Sequence, residues 1–169
     1  RSMGAWPKDT KPMFALMASV AMLGCADPSV DISSERSEER AVKLIALMSV
    51  ALIAWQRIRN GLDLVPYNPD LSHAANMPYQ LTGEIPDPDI AKVLDVCLIL
   101  HADHSFNAST FACRQVASTQ ADMYAAVLAG LAALSGPLHG GANERVMDML
   151  EELAAEEDIE GWVKSRLEK

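Results

Sequence analysis

Aromatic residues and paired cysteines are scarce in this sequence. Only 5% of the 169 residues are aromatic, and Cys25, Cys97 and Cys113 lie in apolar runs without CxxC or cysteine–histidine ligand spacing. An odd cysteine count without such a framework argues against a disulfide-stabilised secreted domain and fits a reducing compartment. No secretory signal is visible after Arg1. We therefore expect a cytoplasmic protein.

Positive charge is also scarce, which limits the classes of partner. The chain has 14 lysines and arginines against 23 aspartates and glutamates, so its formal net charge is −9. This balance argues against nucleic acid and against an anionic membrane surface. The longest apolar stretch, residues 41–55, contains Lys43 and is too short to span a bilayer. With 50% hydrophobic residues, the chain is expected to be soluble and to form one domain.

Strand-like alternation is absent, and the apolar residues recur with helical spacing almost throughout. Pro12 suits a helix start and Gly24 a stop, whereas Asn60-Gly61 predicts the end of the longest helix. A short helix capped by Asp70 or Ser72 should end near Gly83. Further helices are predicted over residues 90–101, 119–134 and 142–153. The predicted fold is all-α.

Two of these helices are apolar around most of their circumference. Residues 90–101 predict a central helix that is buried on most faces, and residues 119–134 repeat the pattern. The Ala- and Gly-rich run at 125–133 should allow another helix to approach closely. Because so short a chain could not cover all this apolar surface, residues 90–134 predict a contact with a second copy of the chain.

Three of the four histidines fall in two polar segments that interrupt this apolar sequence. The first is His101-Ala-Asp-His-Ser-Phe-Asn-Ala-Ser109, and the second is Gly136-Pro-Leu-His-Gly-Gly-Ala-Asn-Glu144. Each imidazole, amide or hydroxyl must find a partner or cost about 1–3 kcal/mol when buried. A protein that needed only a core would not concentrate such groups here, so the two segments predict a functional site.

The spacing within the segments suggests how a ligand would be held. If His101 and His104 share a helical turn, they lie on one side, with Asn107 and Ser109 where that helix would end. His139 lies between Pro137 and two glycines, just before the helix predicted from residue 142. Unpaired N–H groups at a helix N-terminus attract carboxylate or enolate oxygen. A neutral histidine there can hydrogen-bond a carbonyl oxygen and stabilise an enol.

A metal site is the main alternative for these residues. His101, Asp103, His104 and His139 include acceptable ligand types. Asp103 would point away from the shared histidine face, however, and no cysteine accompanies the group, so we expect no metal. Cys113 has no evident neighbouring base and is not expected to be a nucleophile.

The two segments closely resemble sequences of the citrate synthase family, which includes 2-methylcitrate synthases. The matching stretches are Leu100-His-Ala-Asp-His-Ser-Phe-Asn-Ala-Ser-Thr110 and Ala129-Gly-Leu-Ala-Ala-Leu-Ser-Gly-Pro-Leu-His-Gly-Gly-Ala-Asn-Glu144. Weaker matches include Lys11-Pro-Met13 and Asp70-Leu-Ser-His-Ala-Ala-Asn76. The resemblance implies an all-helical homodimer that condenses oxaloacetate with acetyl-CoA to give citrate and CoA. Acetyl-CoA would be a co-substrate, and no permanently bound cofactor is implied.

On the oxaloacetate side, the resemblance implies roles for four residues. His104 looks like an oxaloacetate ligand, and His101 looks like a supporting residue. Asn107 and Ser109 resemble the polar residues that hold this pocket, with Ser109 orienting His139.

On the thioester side, His139 resembles the catalytic histidine that hydrogen-bonds the thioester carbonyl and stabilises its enol. Gly140, Ala142 and Asn143 would shape this side of the site.

The match is partial. Residues 1–169 resemble part of the family's helical large domain, and nothing in them matches the small coenzyme A-binding domain, the catalytic aspartate, the second catalytic histidine or the arginines that clamp oxaloacetate. Without the aspartate as base, the polypeptide alone is expected to be inactive. Two alternative hypotheses of function are a 2-methylcitrate synthase that uses propionyl-CoA and a truncated, noncatalytic helical module that only dimerises.

Overall fold

The computed structural model describes residues 2–27, 36–103 and 105–167, and these residues form helices without any strand. The all-α prediction is therefore confirmed. A short 3-10 helix at Ser2–Ala5 precedes the α-helices, which are α1 (Pro12–Ala26), α2 (Ser37–Arg59), α3 (His73–Thr82), α4 (Pro88–Leu100), α5 (Ala108–Ala117), α6 (Met123–Leu134), α7 (Gly141–Leu153) and α8 (Ile159–Leu167).

Several helix ends are set by capping residues and glycines that can be identified in the sequence. The Ser72 hydroxyl accepts a hydrogen bond from the N–H of Ala75 at 3.1 Å, so Ser72 rather than Asp70 caps α3. At the other end of α3, Gly83 adopts a left-handed conformation with φ of 91°. Gly24 does not stop α1, which continues to Ala26. A Cβ atom at Gly24 would lie 3.2 Å from the Cβ atom of Tyr124, so this glycine serves close packing instead.

The core lies between α1, α2 and α6. Its buried members are Leu16 and Val20 of α1, Leu44 of α2, and Tyr124 and Leu131 of α6. Helix α5 also packs along α6, in the most extensive helix contact of the described residues. The predicted burial of residues 119–134 is thus confirmed for α6, and its small residues do admit a neighbouring helix closely.

The predicted central position of residues 90–101 is wrong for this chain. Helix α4 packs against α3, and none of its residues is buried. Its residues Ile90, Val93 and Leu100 are 53%, 62% and 72% exposed. Helix α4 does carry apolar residues around its circumference, but the described residues of one chain do not cover them. Helix α7 likewise presents an exposed apolar stripe that includes Val146 and Leu150.

Helix α2 is long and apolar enough to cross a membrane by length and composition, unlike the 15-residue stretch considered from sequence. Its 23 residues would span about 34 Å at about 1.5 Å per residue. It nevertheless packs against α1, α3 and α6 in the helical fold, with Arg40 and Trp55 buried. We therefore interpret α2 as a structural helix of this fold.

A buried polar cluster joins the ends of three helices. The Tyr124 hydroxyl donates a 2.8 Å hydrogen bond to Asp27 Oδ2, which also lies 3.6 Å from Arg40 Nε. Burial, followed by the hydrogen bond to Asp27, raises the pKa of Tyr124 from 10.0 to about 12. The cluster fixes the start of α6 against the end of α1 and the start of α2, and so steadies the helix that leads to His139.

Candidate functional site

Ser109 and His139, which are 30 residues apart in sequence, meet where α5 passes the end of α6. The Ser109 Oγ atom lies 2.9 Å from His139 Nε2 and 2.9 Å from the carbonyl oxygen of Gly130. Ser109 belongs to the first turn of α5, and His139 lies in the turn between α6 and α7. The two polar segments of the sequence thus come together through these side chains.

The single proton of the serine hydroxyl determines what His139 offers to a ligand. When the hydroxyl donates to Nε2, a neutral imidazole carries its proton on Nδ1 and can donate it to a carbonyl oxygen. When the hydroxyl donates to the Gly130 carbonyl, Nε2 must donate to the hydroxyl, and Nδ1 of the neutral ring becomes an acceptor. The Ser109 contact therefore orients the ring and couples its tautomer to the direction of one hydroxyl group.

Asn107 and Ser109 do not lie at the end of the preceding helix, as the sequence suggested, but at the start of a new one. The Asn107 Oδ1 atom accepts the N–H of Thr110 at 2.9 Å and caps α5. This cap uses the amide oxygen, whereas the amide nitrogen of an asparagine carries two further donors. The cap therefore fixes the Asn107 side chain near Ser109, and its amide oxygen is already used in capping α5.

Helix α4 ends at Leu100, and Ala102 and Asp103 are not helical, so the described residues after His101 do not continue the helix. His101 is exposed, and its Nδ1 atom lies 2.7 Å from the carbonyl oxygen of Cys97 one turn earlier. The predicted oxaloacetate ligand His104 lies outside the described residues. Among those that are described, no group of three histidine, cysteine or acidic side chains is arranged to hold a metal ion.

Three backbone N–H groups in the first turn of α7 already donate to backbone carbonyls, although the sequence analysis expected unpaired N–H groups at this helix end. Ala142 donates to the carbonyl of His139 at 3.2 Å, and Asn143 donates to that of Gly140 at 3.0 Å. The N–H of Glu144 donates to the Gly140 carbonyl at 3.4 Å. Ala142 and Asn143 thus lie in the first turn of α7, as expected, but their amide protons close a tight turn around His139.

Gly140 is required by this tight turn. Its φ of −66° and ψ of −27° suit any residue, but a Cβ atom there would lie 2.0 Å from the carbonyl oxygen of Leu134. The chain therefore folds back onto the end of α6 immediately after His139. A Cβ at the next glycine, Gly141, would approach nothing closer than 3.7 Å. This close return was not visible in the sequence, where two adjacent glycines look equivalent.

A cavity of about 650 Å³ opens beside the same helix pair, between α5, α6 and the start of α2. Its lining includes Cys113, Arg114, Asp122 and Met123, but neither Ser109 nor His139. This cavity therefore does not coincide with the candidate site. The candidate site is instead the pair formed by Ser109 and His139, because a hydroxyl and an imidazole can transfer protons and donate hydrogen bonds.

Comparison with known proteins shows the same family along the whole chain. The family described as citrate synthase, C-terminal domain, matches residues 1–169. A citrate synthase of Deinococcus radiodurans is 42% identical over 163 residues, which are 96% of this chain and 43% of that protein. A 2-methylcitrate synthase of Mycobacterium tuberculosis is 34% identical over 161 residues, which are 95% of this chain and 41% of that protein. The chain thus spans less than half the length of these relatives.

The fold has close counterparts among solved structures. A ternary complex of citrate synthase from Thermoplasma acidophilum with carboxymethyl coenzyme A and oxaloacetate matches with a TM-score of 0.81 and 27% identity. The match covers 96% of this chain and 43% of that one. Together with the family match over all 169 residues and the pairing of Ser109 with His139, these similarities show that the chain belongs to the citrate synthase family.

Proposed function

We propose that this chain supplies part of the active site of an enzyme that condenses oxaloacetate with acetyl-CoA to give citrate and CoA. The observation that carries the proposal is the 2.9 Å contact between Ser109 and His139 at the turn before α7. The Thermoplasma relative binds carboxymethyl coenzyme A and oxaloacetate. A fold similar to that protein supports the same pair of ligand classes here.

In the proposed reaction, His139 acts on the thioester. With the Ser109 hydroxyl donating to Nε2, the Nδ1–H group donates to the thioester carbonyl oxygen. This bond strengthens as a base removes a proton from the neighbouring methyl carbon and negative charge develops on the oxygen. The enol carbon then attacks the ketone carbon of oxaloacetate, and hydrolysis of the resulting thioester releases citrate and CoA. Acetyl-CoA is a co-substrate, and the reaction uses no permanently bound cofactor.

Oxaloacetate would lie beside the start of α5, with His104 and Asn107 as its donors and His101 as a supporting residue. Gly140, Ala142 and Asn143 would shape the thioester side. Residues 1–169 would then form part of a helical large domain, with coenzyme A held mainly by a small domain. We further propose a cytoplasmic place in the tricarboxylic acid cycle; relatives named citrate synthase support the reaction itself.

The direct test is the release of CoA by the complete protein, measured as free thiol in the presence of oxaloacetate and acetyl-CoA. Turnover that depends on both substrates and falls at least 100-fold in Ser109→Ala and His139→Ala supports the proposal. Turnover that is equal in the parent and in both variants contradicts it.

A 2-methylcitrate synthase is the second candidate, because a relative of that name is 34% identical to the chain. The two functions differ by one methylene group in the acyl chain, which changes binding by only about 1–3 kcal/mol in an apolar pocket. The ratio of kcat/KM for propionyl-CoA to that for acetyl-CoA separates them. A ratio above one assigns the 2-methylcitrate function.

We also propose that the protein is a homodimer. Within the segment 90–134 that the sequence predicts to contact a second copy, helix α4 exposes the apolar residues Ile90, Val93 and Leu100. Two copies related by a two-fold axis could cover these faces mutually. Sedimentation of the complete protein at micromolar concentration should give the mass of two chains, and Val93→Glu should shift it toward one. A monomer in the parent protein would refute this assembly.

A further inference from the structure

Gly130 of α6 lies directly against the Cys113 side chain of α5. A Cβ atom at Gly130 would lie 2.5 Å from Cys113 Sγ, far inside van der Waals contact. Its next neighbours would be the Ser109 carbonyl oxygen at 3.5 Å and Ser109 Cβ at 3.8 Å, which are ordinary separations. The cysteine sulfur is therefore the one close obstacle to a side chain at position 130.

The same glycine also contacts the candidate site through its backbone. Ser109 lies one helical turn before Cys113, so both side chains reach the same face of α5. The Ser109 hydroxyl lies 2.9 Å from the Gly130 carbonyl oxygen and equally far from His139 Nε2. Gly130 is buried and Ser109 is half-buried. Any change in the spacing of α5 and α6 at Gly130 therefore changes the position of the hydroxyl that orients His139.

We propose that Gly130 is a positioning residue for the reaction assigned to His139, acting through its contact with Cys113 and its carbonyl bond to Ser109. Because Gly130 has no side chain, the Cys113 sulfur fits beside it and α5 can lie this close to α6. The Gly130 carbonyl oxygen lies as close to the Ser109 hydroxyl as Nε2 does, so the two compete for the single hydroxyl proton, and their positions set how much of the imidazole carries its proton on Nδ1. This inference rests on the proposed function, because it assigns Gly130 a part in the same chemistry.

Substitution of Gly130 and Cys113 singly and together tests the inference in the complete protein. In Gly130→Ala the new Cβ would lie 2.5 Å from Cys113 Sγ, and we expect α5 to move away, since a displacement near 1 Å at a catalytic group costs about 100-fold in rate. We expect kcat to fall 10- to 100-fold, with KM for oxaloacetate within about threefold of the parent. Cys113→Ala alone should leave kcat within about threefold, and Gly130→Ala with Cys113→Ala should restore it, because the smaller side chain makes room for the new methyl group.

The 15N chemical shifts of the His139 ring give a second readout that does not depend on turnover. They report which ring nitrogen carries the proton, so Gly130→Ala should change them and the double variant should return them to the parental values. A change in overall stability alone would not move these shifts. They therefore separate positioning from a merely structural effect.

Three outcomes decide between the possibilities. If Gly130→Ala keeps parental kcat and ring shifts while His139→Ala is inactive, the positioning role is refuted and the proposed function stands. If Gly130→Ala cannot be obtained folded, the double variant decides: folded protein with parental kcat and shifts supports the inference, and failure of that variant overturns it. If His139→Ala is as active as the parent, the proposed function fails, whereas the ring shifts still test the contact itself.

Discussion

Replacing Gly140 by alanine should be the most damaging single-methyl change in the candidate site. The new Cβ would lie 2.0 Å from the carbonyl oxygen of Leu134 and 3.2 Å from its carbonyl carbon. Both neighbours belong to the backbone, so no side-chain rotation relieves the contact. The turn or the end of α6 must move by more than 1 Å to reach a normal separation of about 3.5 Å.

The size of the effect follows from this displacement. Forcing an extra methyl group into a closely packed position typically costs about 1–3 kcal/mol of stability. His139 directly precedes Gly140 in the same turn, so its imidazole should shift by a similar distance. A shift of about 1 Å at a positioned group costs about 100-fold in rate. We therefore expect Gly140→Ala to lose about 1–3 kcal/mol of unfolding free energy and about 100-fold in kcat.

The matched control is Gly141→Ala, one residue further on. Its Cβ would approach nothing closer than 3.7 Å, and alanine is favourable at the first residue of a helix. Urea unfolding and steady-state kinetics of both variants measure the two effects. If Gly140→Ala matches Gly141→Ala in both, the close return of the chain onto Leu134 is not what holds His139.

Two further predictions concern the surroundings of the site. Tyr124→Phe should destabilise the protein by about 1 kcal/mol near neutral pH through loss of the bond to Asp27. Because the folded-state pKa of about 12 lies above the unfolded value, this tyrosine's contribution is complete below pH 10 and is lost as pH rises toward 12, at up to about 1.4 kcal/mol per unit. Denaturant unfolding of parent and variant between pH 8 and 11 should show the parent losing stability faster, and parallel curves would contradict this. Asn107→Asp should retain the α5 cap, and hence stability within about 0.5 kcal/mol, whereas Asn107→Ala should lose about 1 kcal/mol. The aspartate should also raise KM for oxaloacetate by charge repulsion, so an unchanged KM would remove Asn107 from the substrate pocket.

Much of the helical fold could be predicted from local sequence patterns. The cap at Ser72 and the stop at Gly83 depend on neighbouring residues alone. The sequence predicted the stop and offered Ser72 as one of two candidate caps. The position of His139 just before α7 follows from the broken backbone around it in the same way. The small residues of α6 predicted a close neighbour, and α5 is that neighbour.

Features that depend on distant parts of the chain were not predictable. Apolar periodicity shows that α4 has hydrophobic faces, but it does not say what covers them, and the described residues leave them exposed. Tyr124 and Asp27 are 97 positions apart, so no local pattern links them. A side chain at Gly130 would collide with Cys113, and one at Gly140 would collide with the Leu134 carbonyl oxygen. Neither contact can be seen until α5, α6 and the turn after α6 are placed in space.

A comparison of turnover with binding in His139→Ala tests whether His139, oriented by Ser109, stabilises the developing enolate. Loss of one such donor typically costs about 10²–10³ in rate. We predict that loss in kcat of the complete protein, with oxaloacetate affinity measured by calorimetry within a few-fold of the parent. His73→Ala, which changes the first residue of α3, is the histidine control and should leave both quantities within a few-fold. Turnover of His139→Ala within a few-fold of the parent would contradict the account.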